Sequence, residues 1–273
     1  MTDSSSSTDQ RVPANLDTTV AHTARVWNYW LGGKDNFGPD REVGDQIQQM
    51  LPGIVTTARA DRGFLQRAVR FVTDEAGMRQ FLDIGTGLPT AGNTHEVAQS
   101  IAPEARIVYV DNDPLVLVHA RALLSSAPQG ATDYIDADLH DPEKILEAAA
   151  RTLDFSKPVA LTLLGVLNFI LDEEEALAIV HRLLDAVPSG SYLVIAHASN
   201  EVKAEEAERA RQFWNANAKP PIVFRTARQI ARFFDRVELL EPGVVSCSRW
   251  RPEPADLDTP ADVNQFCGVG RKP

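Results

Sequence analysis

The chain of 273 residues is 44% apolar, enough to bury a large core in one domain or in one domain with a cap. Its formal net charge of -11 argues against broad contact with nucleic acid, because phosphates would be repelled. No stretch approaches the roughly 20 apolar residues that span a bilayer, so no membrane partner is expected. Two cysteines give no disulfide framework, and no Cys/His cluster has the spacing of a zinc site, so we expect a metal-free cytoplasmic protein.

The N-terminal part is predicted to contain a tail and a cap. Residues 1–16 are rich in Ser, Thr, Asp and Gln, predict a disordered tail and lack the pattern of a secretion signal. Residues 17–75 are predicted to form a helical cap or lid over the rest of the chain. Its Trp27 and Trp30 suit a lid and a dimer interface equally, which leaves a homo-oligomer open. The predicted helices are Ala24–Leu31, Arg41–Met50 and residues 60–75.

Residues 76–273 are predicted to form a Rossmann-like α/β domain, because strand and helix patterns alternate along them. Five apolar strands joined by helices indicate a doubly wound parallel sheet, and crossover handedness puts all the strand carboxyl ends on one edge. The strands and helices are predicted, in order, at Gln80–Ile84, Thr94–Ser100, Arg106–Val110, Pro114–Ser125, Thr132–Ala137, Glu143–Leu153, Val159–Leu164, Glu173–Ala186 and Tyr192–His197.

The C-terminal part departs from this alternation. Residues 200–235 are predicted to be a cap-like insertion, with a charged helix, a Pro-rich interruption and a short helix N-capped by Thr226. A basic set within it, Arg225, Arg228 and Arg232, is expected to be the solvated face of a helix. The late strands Arg236–Leu240 and Asn264–Gly270 then predict an antiparallel strand inserted at one edge of the sheet.

The first strand ends in a glycine turn, Asp83-Ile84-Gly85-Thr86-Gly87, that would bring backbone close to a ligand. A pyrophosphate site needs a third glycine, whereas this chain has Thr90 there, preceded by Pro89 without an amide donor. This disfavours an NAD-linked oxidoreductase. Asp83 instead suits a cationic amino-acid headgroup, directly or through water. The alternative is a plain strand–helix connection.

The second strand end carries Asp111-Asn112-Asp113. Asp111 follows Gly87 by 24 residues (111 − 87), close to the offset of about 20 at which a carboxylate binds ribose hydroxyls. Asn112 is a weaker ligand candidate, and Asp113 before Pro114 is predicted to cap the next helix.

The third strand end offers Asp138 and Leu139. Asp138 could accept from an adenine amine while the Leu139 amide donates to a ring nitrogen. The alternative is that Asp138 and Asp141 cap the helix at Pro142. An ammonium, a ribose and an adenine in this order along the edge describe S-adenosylmethionine.

Longer motifs around these positions resemble class I S-adenosylmethionine-dependent methyltransferases, and more narrowly an actinobacterial S-adenosyl methyltransferase-like family first catalogued as a domain of unknown function. The resemblance covers nearly everything from about residue 15. It implies a seven-stranded sheet with a reversed last strand, and it implies that Asp83, Gly85, Asp111 and Asp138 face the cofactor. The segments that carry it are residues 24–36, residues 81–90, Val110-Asp111-Asn112-Asp113-Pro114 and Gly268-Val269-Gly270-Arg271-Lys272-Pro273.

The loop Gly32-Gly33-Lys34-Asp35-Asn36 admits two interpretations. In one, it folds over the cofactor, and Tyr29, Lys34 or Asn36 reaches the methionine carboxylate or the substrate. In the other, the two glycines end the preceding helix and the polar residues begin the next turn.

The methyl acceptor is expected beside Leu164-Gly165-Val166-Leu167-Asn168-Phe169. Gly165 would let backbone approach the sulfonium, and Asn168 could position the acceptor or cap a turn. Where many members of the resembled family carry His after the fourth strand, this chain has Leu167-Asn168-Phe169, which argues against a general base at that position. His197, at the tip of the fifth strand, is the one histidine candidate for a base, although a core role suits it better.

The sequence therefore predicts a methyltransferase that acts on an unidentified, small-molecule acceptor. Methyl transfer from a sulfonium needs alignment and exclusion of water, so acceptor identity leaves few marks in a sequence. The alternative is a non-catalytic S-adenosylmethionine-binding regulatory protein. The expected cofactor contacts are Asp83, Gly85, Thr86, Gly87, Asp111, Asn112, Asp138, Leu139, Gly165, Lys34 and Asn36, and the catalytic candidates are Asn168, His197 and Tyr29.

Overall fold

The structure is a computed structural model that describes residues 16–123, 126–252 and 261–273. The predicted disordered tail lies outside the described residues except for Leu16. Within the described ranges, no helix is both long and apolar enough to cross a membrane.

The helices and strands follow the predicted order, with boundaries shifted by a few residues. The first four elements are β1 (Ala21–His22), α1 (Thr23–Trp30), α2 (Gly38–Met50) and α3 (Ile54–Asp74). The alternating region comprises β2 (Gln80–Ile84), α4 (Thr94–Ile101), β3 (Arg106–Asp111), α5 (Pro114–Leu123), β4 (Ala131–Asp136), α6 (Pro142–Ala149), β5 (Ala160–Leu164), a 3-10 turn (Leu167–Phe169), α7 (Glu173–Asp185) and β6 (Tyr192–Ala198). The remainder comprises α8 (Ala204–Asn217), β7 (Ala218–Lys219), α9 (Ala227–Ala231), a second 3-10 turn (Arg232–Phe234), β8 (Glu238–Leu239), β9 (Val245–Ser246) and β10 (Gln265–Arg271).

The main sheet has the strand order β4-β3-β2-β5-β6-β10-β8. Strands β2 to β6 pair in parallel, and β10 runs antiparallel to both β6 and β8. This confirms the predicted Rossmann-like sheet with a reversed last strand. The reversed strand lies second from the edge, and the two-residue β9, which was not predicted, adds an eighth strand by pairing with β10.

Each face of the sheet buries its own core, because side chains alternate between faces along a strand. Leu82 and Ile84 face the core covered by α6, α7 and α9. Phe81 faces the core covered by α3 and α4, to which α3 contributes Phe64 and Val72. Helix α3, although it lies in the segment predicted as a cap, therefore packs mainly as a layer of the sheet domain.

Two glycines of β10 allow neighbouring side chains to pack directly against this strand. A Cβ added at Gly268 would lie 2.9 Å from the Phe234 ring, and one at Gly270 would lie 2.4 Å from Val237. The C-terminal Gly268-Val269-Gly270 motif thus serves packing, since no other residue leaves room for these neighbours. Lys272 follows it and donates to the carbonyls of Leu184 and Val187 at the end of α7.

A third core, separate from the sheet, joins the N-terminal helices to α8. It contains Val26 and Ile47 from α1 and α2, and Ala210 and Trp214 from α8. A short parallel ladder between β1 and β7 links the same two segments through Ala21↔Ala218 and His22↔Lys219. We call this unit, made of residues 17–53 and 204–222, the cap.

Candidate active site

A cavity of about 660 Å³ lies between the cap and the edge of the sheet where the parallel strands end. Ten of the residues predicted for the site line it: Asp83, Gly85, Thr86, Gly87, Asp111, Asn112, Asp138, Leu139, Gly165 and Asn168. Four others, Tyr29, Lys34, Asn36 and His197, lie outside its lining.

The two glycines of the turn after β2 have different roles. Both have positive φ, +77° at Gly85 and +66° at Gly87. A Cβ at Gly85 would lie 2.5 Å from the Cβ of Val166, so this position is small because the chain itself packs there. A Cβ at Gly87 would meet nothing within 4 Å, so only Gly87 presents open backbone to the cavity.

Asp83 is nearly buried at the end of β2. Its two carboxylate oxygens accept hydrogen bonds from the hydroxyls of Thr94 (2.5 Å) and Thr162 (2.8 Å). Burial raises its pKa, and these two hydrogen bonds oppose the rise. A carboxylate offers about four acceptor sites, so Asp83 retains capacity for a cationic ligand in the cavity.

Arg62 of α3 also lines this end of the cavity, although no sequence motif marks it. Its guanidinium donates to the carbonyl of Ala91 and to Asn93 Oδ1, both at 3.2 Å, whereas its Nε is buried without a hydrogen-bond partner in the described part of the chain. Burial lowers the pKa of Arg62, and the nearby carboxylates of Asp61 and Asp83 oppose this. A guanidinium close to a carboxylate complements a zwitterionic amino-acid headgroup.

Asp111 is held by the backbone of two neighbouring turns. Its Oδ2 accepts from the N–H of Gly87 (2.8 Å) and its Oδ1 accepts from the N–H of Asp113 (2.9 Å). Burial raises its pKa, and these two amide donors lower it. Asp113 accepts from the N–H of Leu115 and so caps α5, as predicted, while its second oxygen lies 2.7 Å from His22 Nδ1 of the cap.

Asp138 lies at the exposed rim of the cavity. It accepts from the Asn112 side chain (2.9 Å) and from the backbone N–H of His140 (2.9 Å). Burial raises its pKa, but the hydrogen bonds from His140 and Asn112 outweigh this, so the pKa is lowered. Of the two acids proposed to cap α6, Asp141 is the one that accepts from the N–H of Lys144.

The polar loop after α1 ends that helix. Gly32 has a φ of +81° and donates to the carbonyl of Tyr29, and Gly33 donates to that of Asn28, which is a Schellman ending. The Asn28 side chain then accepts from Asn36 Nδ2 at 3.0 Å. The geometry therefore corresponds to the helix-end interpretation of this loop. Lys34 is exposed outside the cavity, and Tyr29 donates its hydroxyl to Asp45.

His197 lies inside the sheet domain in contact with Arg225. It is fully buried, its Nδ1 lies 2.7 Å from the carbonyl of Ala198, and its Nε2 lies 2.7 Å from a guanidinium nitrogen of Arg225. Burial and the Arg225 charge lower its pKa to about 3, so it stays neutral and takes up protons poorly. The expectation of a solvated Arg225 is wrong, because this side chain is 2% exposed and donates to the carbonyls of Leu167 and Ile170.

The part of the cavity under the cap is largely apolar and aromatic. Three tryptophans, Trp27, Trp30 and Trp214, line it. The cap also contributes Asn28, Arg211 and Lys219 to the lining, and the sheet domain contributes Asn168, Gln265 and Asp61. Asp61 falls within the apolar stripe of α3, between Ala58 and Leu65. A charged residue in such a stripe is a sequence signal that pattern analysis could have used.

The sheet is Rossmann-like, and its reversed last strand lies second from the edge. Three adjacent strand ends carry acids, and the turn after β2 lacks the third glycine of a pyrophosphate loop. These features define the class I S-adenosylmethionine-dependent methyltransferases. The model of the S-adenosyl methyltransferase family matches residues 9–273, and the chain belongs to this family. It is a methyltransferase whose cofactor is S-adenosylmethionine.

Solved structures agree with this assignment. A DUF574 family protein from Streptomyces avermitilis is 45% identical, with 94% of this chain and 99% of that one covered and a TM-score of 0.91. A protein from Thermobifida fusca, provisionally assigned as a methyltransferase, is 42% identical, with 95% and 98% covered and a TM-score of 0.86. A methyltransferase from Anabaena variabilis shares the fold at 14% identity, with 76% and 83% covered and a TM-score of 0.50. Among curated proteins, none matches the chain.

Proposed function

We propose that this methyltransferase acts on a small, largely apolar molecule that binds between the cap and the sheet edge. The cavity of about 660 Å³, which also includes the proposed cofactor contacts, has the size of a small-molecule site, since such sites usually measure about 300–1,000 Å³. The net charge of -11 disfavours a nucleic acid as the acceptor. The apolar cap wall beside Asn168 is the observation that carries the proposal.

The residues at the sheet edge fit S-adenosylmethionine on the evidence of two features. Gly87 borders open space that a side chain would occupy, and the buried Nε of Arg62 lacks a hydrogen-bond partner in the described residues. Asp83 and Arg62 would hold the ammonium and carboxylate of the methionine part. Asp111 would hold the ribose hydroxyls. Asp138 and the amide of Leu139 would hold the adenine. Lys34 and Asn36 are not part of this proposed set.

When bound, the cofactor supplies a methyl group on a sulfonium, which is already activated for transfer. The task left to the chain is to align the acceptor and exclude water. Gly165, with a φ of +65°, would allow the acceptor to approach, and Asn168 would orient it. We assign the cap the role of acceptor wall, which gives the chain a sheet domain and a cap built from residues 17–53 and 204–222.

Binding and transfer measurements test the proposal. Calorimetry should detect S-adenosylhomocysteine binding, and Asp111→Ala should weaken it by more than about tenfold, the expected effect of losing charge-assisted hydrogen bonds. Asp136→Ala is the matched control, because Asp136 ends the neighbouring strand but is exposed outside the cavity. Labelled methyl groups should then pass to small molecules of a metabolite extract. Transfer only to macromolecules would contradict the proposed acceptor class. In the described residues, no observation favours the non-catalytic alternative.

A further inference from the structure

Asp61 is a buried carboxylate that the proposed cofactor contacts leave unused. It lies on α3, is 6% exposed and lines the cavity. Its Oδ1 accepts a hydrogen bond of 3.3 Å from Gln265 Nε2. Burial raises its pKa to about 6, although the positive charge of Arg62 and the Gln265 hydrogen bond lower it. A group with this pKa can hold and release a proton near neutral pH.

Asp61 lies where the proposed acceptor would meet the cofactor. The Gln265 amide nitrogen that binds Asp61 is also 3.6 Å from the position of a Cβ on Gly165. On its other side, Asp61 is followed by Arg62, which faces the proposed methionine headgroup together with Asp83. The carboxylate thus lies near the end of β5, and its neighbour in the chain, Arg62, is close enough to Asp83 for the charges to interact.

The surroundings of Asp61 do not suit a structural ion pair. Arg62 attracts it, but the hydrogen bonds of that guanidinium go to Ala91 and Asn93. Another titratable group near it is the buried thiol of Cys247. A buried carboxylate with one neutral hydrogen-bond donor is costly to keep, so a role in ligand chemistry explains its presence better than stability does.

Three other polar groups are unsuitable for proton transfer. His197 is buried outside the cavity lining and receives a hydrogen bond from Arg225. Tyr29 points to Asp45, and the amide of Asn168 cannot accept a proton at neutral pH. Of these four groups, Asp61 is therefore the best-placed base for an acceptor in this cavity.

We propose that Asp61 is a catalytic residue that removes a proton from the methyl acceptor, whose nucleophile is an O–H or N–H on a largely apolar molecule. The inference rests on the proposed function, because it uses the same cavity. The acceptor's O–H or N–H bond breaks and its proton passes to the Asp61 carboxylate. The electron pair left on the acceptor atom forms the bond to the methyl carbon, and the carbon–sulfur pair stays on sulfur. Asp61 later returns the proton to solvent.

Paired probes, in which methyl groups replace the O–H or N–H hydrogens, test this assignment without turnover. Naphthol and methoxynaphthalene have the same apolar ring, and so do aminonaphthalene and its dimethylamino derivative. Their binding can be followed by quenching of the tryptophans that line the cavity, with saturating S-adenosylhomocysteine present. We expect the wild type to prefer the proton-bearing member by at least about tenfold, since hydrogen bonds to a charged group have this effect. The naphthol and aminonaphthalene arms distinguish a hydroxyl acceptor from an amine acceptor.

Asp61→Asn should bind both members of each pair equally, while Asp45→Asn, an exposed carboxylate outside the cavity, should keep the preference. A wild type without preference, or an Asp61→Asn variant that retains it, would overturn the assignment. Failure of every probe to bind would overturn the apolar acceptor. If Asp61→Asn loses affinity for S-adenosylhomocysteine and Asp45→Asn does not, Asp61 belongs to the cofactor site instead. Failure of the proposed function is distinguishable, because the wild type would then bind S-adenosylhomocysteine but none of the probes, whereas failure of the Asp61 assignment would leave the probes bound without the preference.

Discussion

Arg225 and His197 form a buried contact in which a guanidinium nitrogen donates to the imidazole Nε2 at 2.7 Å. The same guanidinium donates to the carbonyls of Leu167 and Ile170, which follow β5. This one side chain thus fixes the segment that forms the floor of the cavity beside Asn168. Its N–H groups satisfy carbonyls that would otherwise be buried without partners.

Replacing Arg225 by Ala should destabilise the protein by about 3 kcal/mol, because several buried acceptors lose their donor together. Urea unfolding followed by circular dichroism measures this change. Arg228→Ala, on the same segment but exposed, should change stability by less than about 0.5 kcal/mol. Equal effects of the two substitutions would show that the Arg225 network contributes little.

Acid should destabilise the fold through His197. Its pKa is about 3 in the folded protein and about 6.5 when unfolded, so the unfolded chain binds more protons between these values. Stability is then lost as pH falls from about 6.5 towards 3, with a full effect of roughly 4–5 kcal/mol. His197→Gln keeps an acceptor for Arg225 and should flatten this part of the pH–stability curve. An unchanged curve would mean that another group is responsible.

Asp61 should make the protein less stable as pH rises, which is the opposite of the effect of His197. Its pKa of about 6 lies above its ordinary value, so its contribution to stability falls as pH rises from about 4 through 6. Asp61→Asn should therefore raise stability at pH 7.5 by about 2–3 kcal/mol and remove this slope. Thermal unfolding at a series of pH values gives the result. A variant less stable than wild type at pH 7.5 would contradict the burial argument.

Gly85 and Gly87 should respond differently to alanine. Gly85→Ala combines a positive φ with contact against Val166, and should cost about 2–5 kcal/mol of stability. Val166→Ala in the same chain should recover part of this loss. Gly87→Ala should cost only about 1–2 kcal/mol, the cost of its φ, yet weaken binding of S-adenosylhomocysteine. Unfolding and calorimetry on the two variants separate packing from ligand approach.

Arg62 and Lys34 offer a second contrast. Arg62→Met should lower S-adenosylhomocysteine affinity by about 10- to 100-fold, because a carboxylate would lose its guanidinium partner. Lys34→Ala should leave the affinity unchanged, since Lys34 is exposed away from the cavity. If Lys34→Ala lowers the affinity and Arg62→Met does not, the loop after α1 binds the methionine carboxylate instead.

The sheet and the acids at its edge could be predicted because both depend on local pattern. Apolar strands of five or six residues mark β2 and β3 without knowledge of their neighbours, since β2 is followed by Gly85 and β3 ends at Asp111. The handedness of the crossovers then brings these ends together. The site at this edge could therefore be predicted, although the strand ends are far apart in the sequence.

The cap could not be predicted in the same way. The β1–β7 ladder pairs two residues with two others nearly 200 positions away, and a two-residue strand has no periodicity to detect. The burial of Arg225 likewise depends on carbonyls presented by a distant turn. Arg62 and Asp61 were overlooked because charges on a helix are usually solvated, and only the packing of α3 against the sheet turns them inward.

The division of the cap between two distant segments has a consequence for engineering the enzyme. Trp27 and Trp214 come from opposite ends of the chain, yet they border one chamber. If the cap forms the acceptor wall as proposed, transplanting the later segment from a relative would replace one side of the cavity and leave the other side fitted to the original acceptor. To change which compounds are methylated, both cap segments should therefore be exchanged together, including Ala21 and Ala218, which pair between β1 and β7.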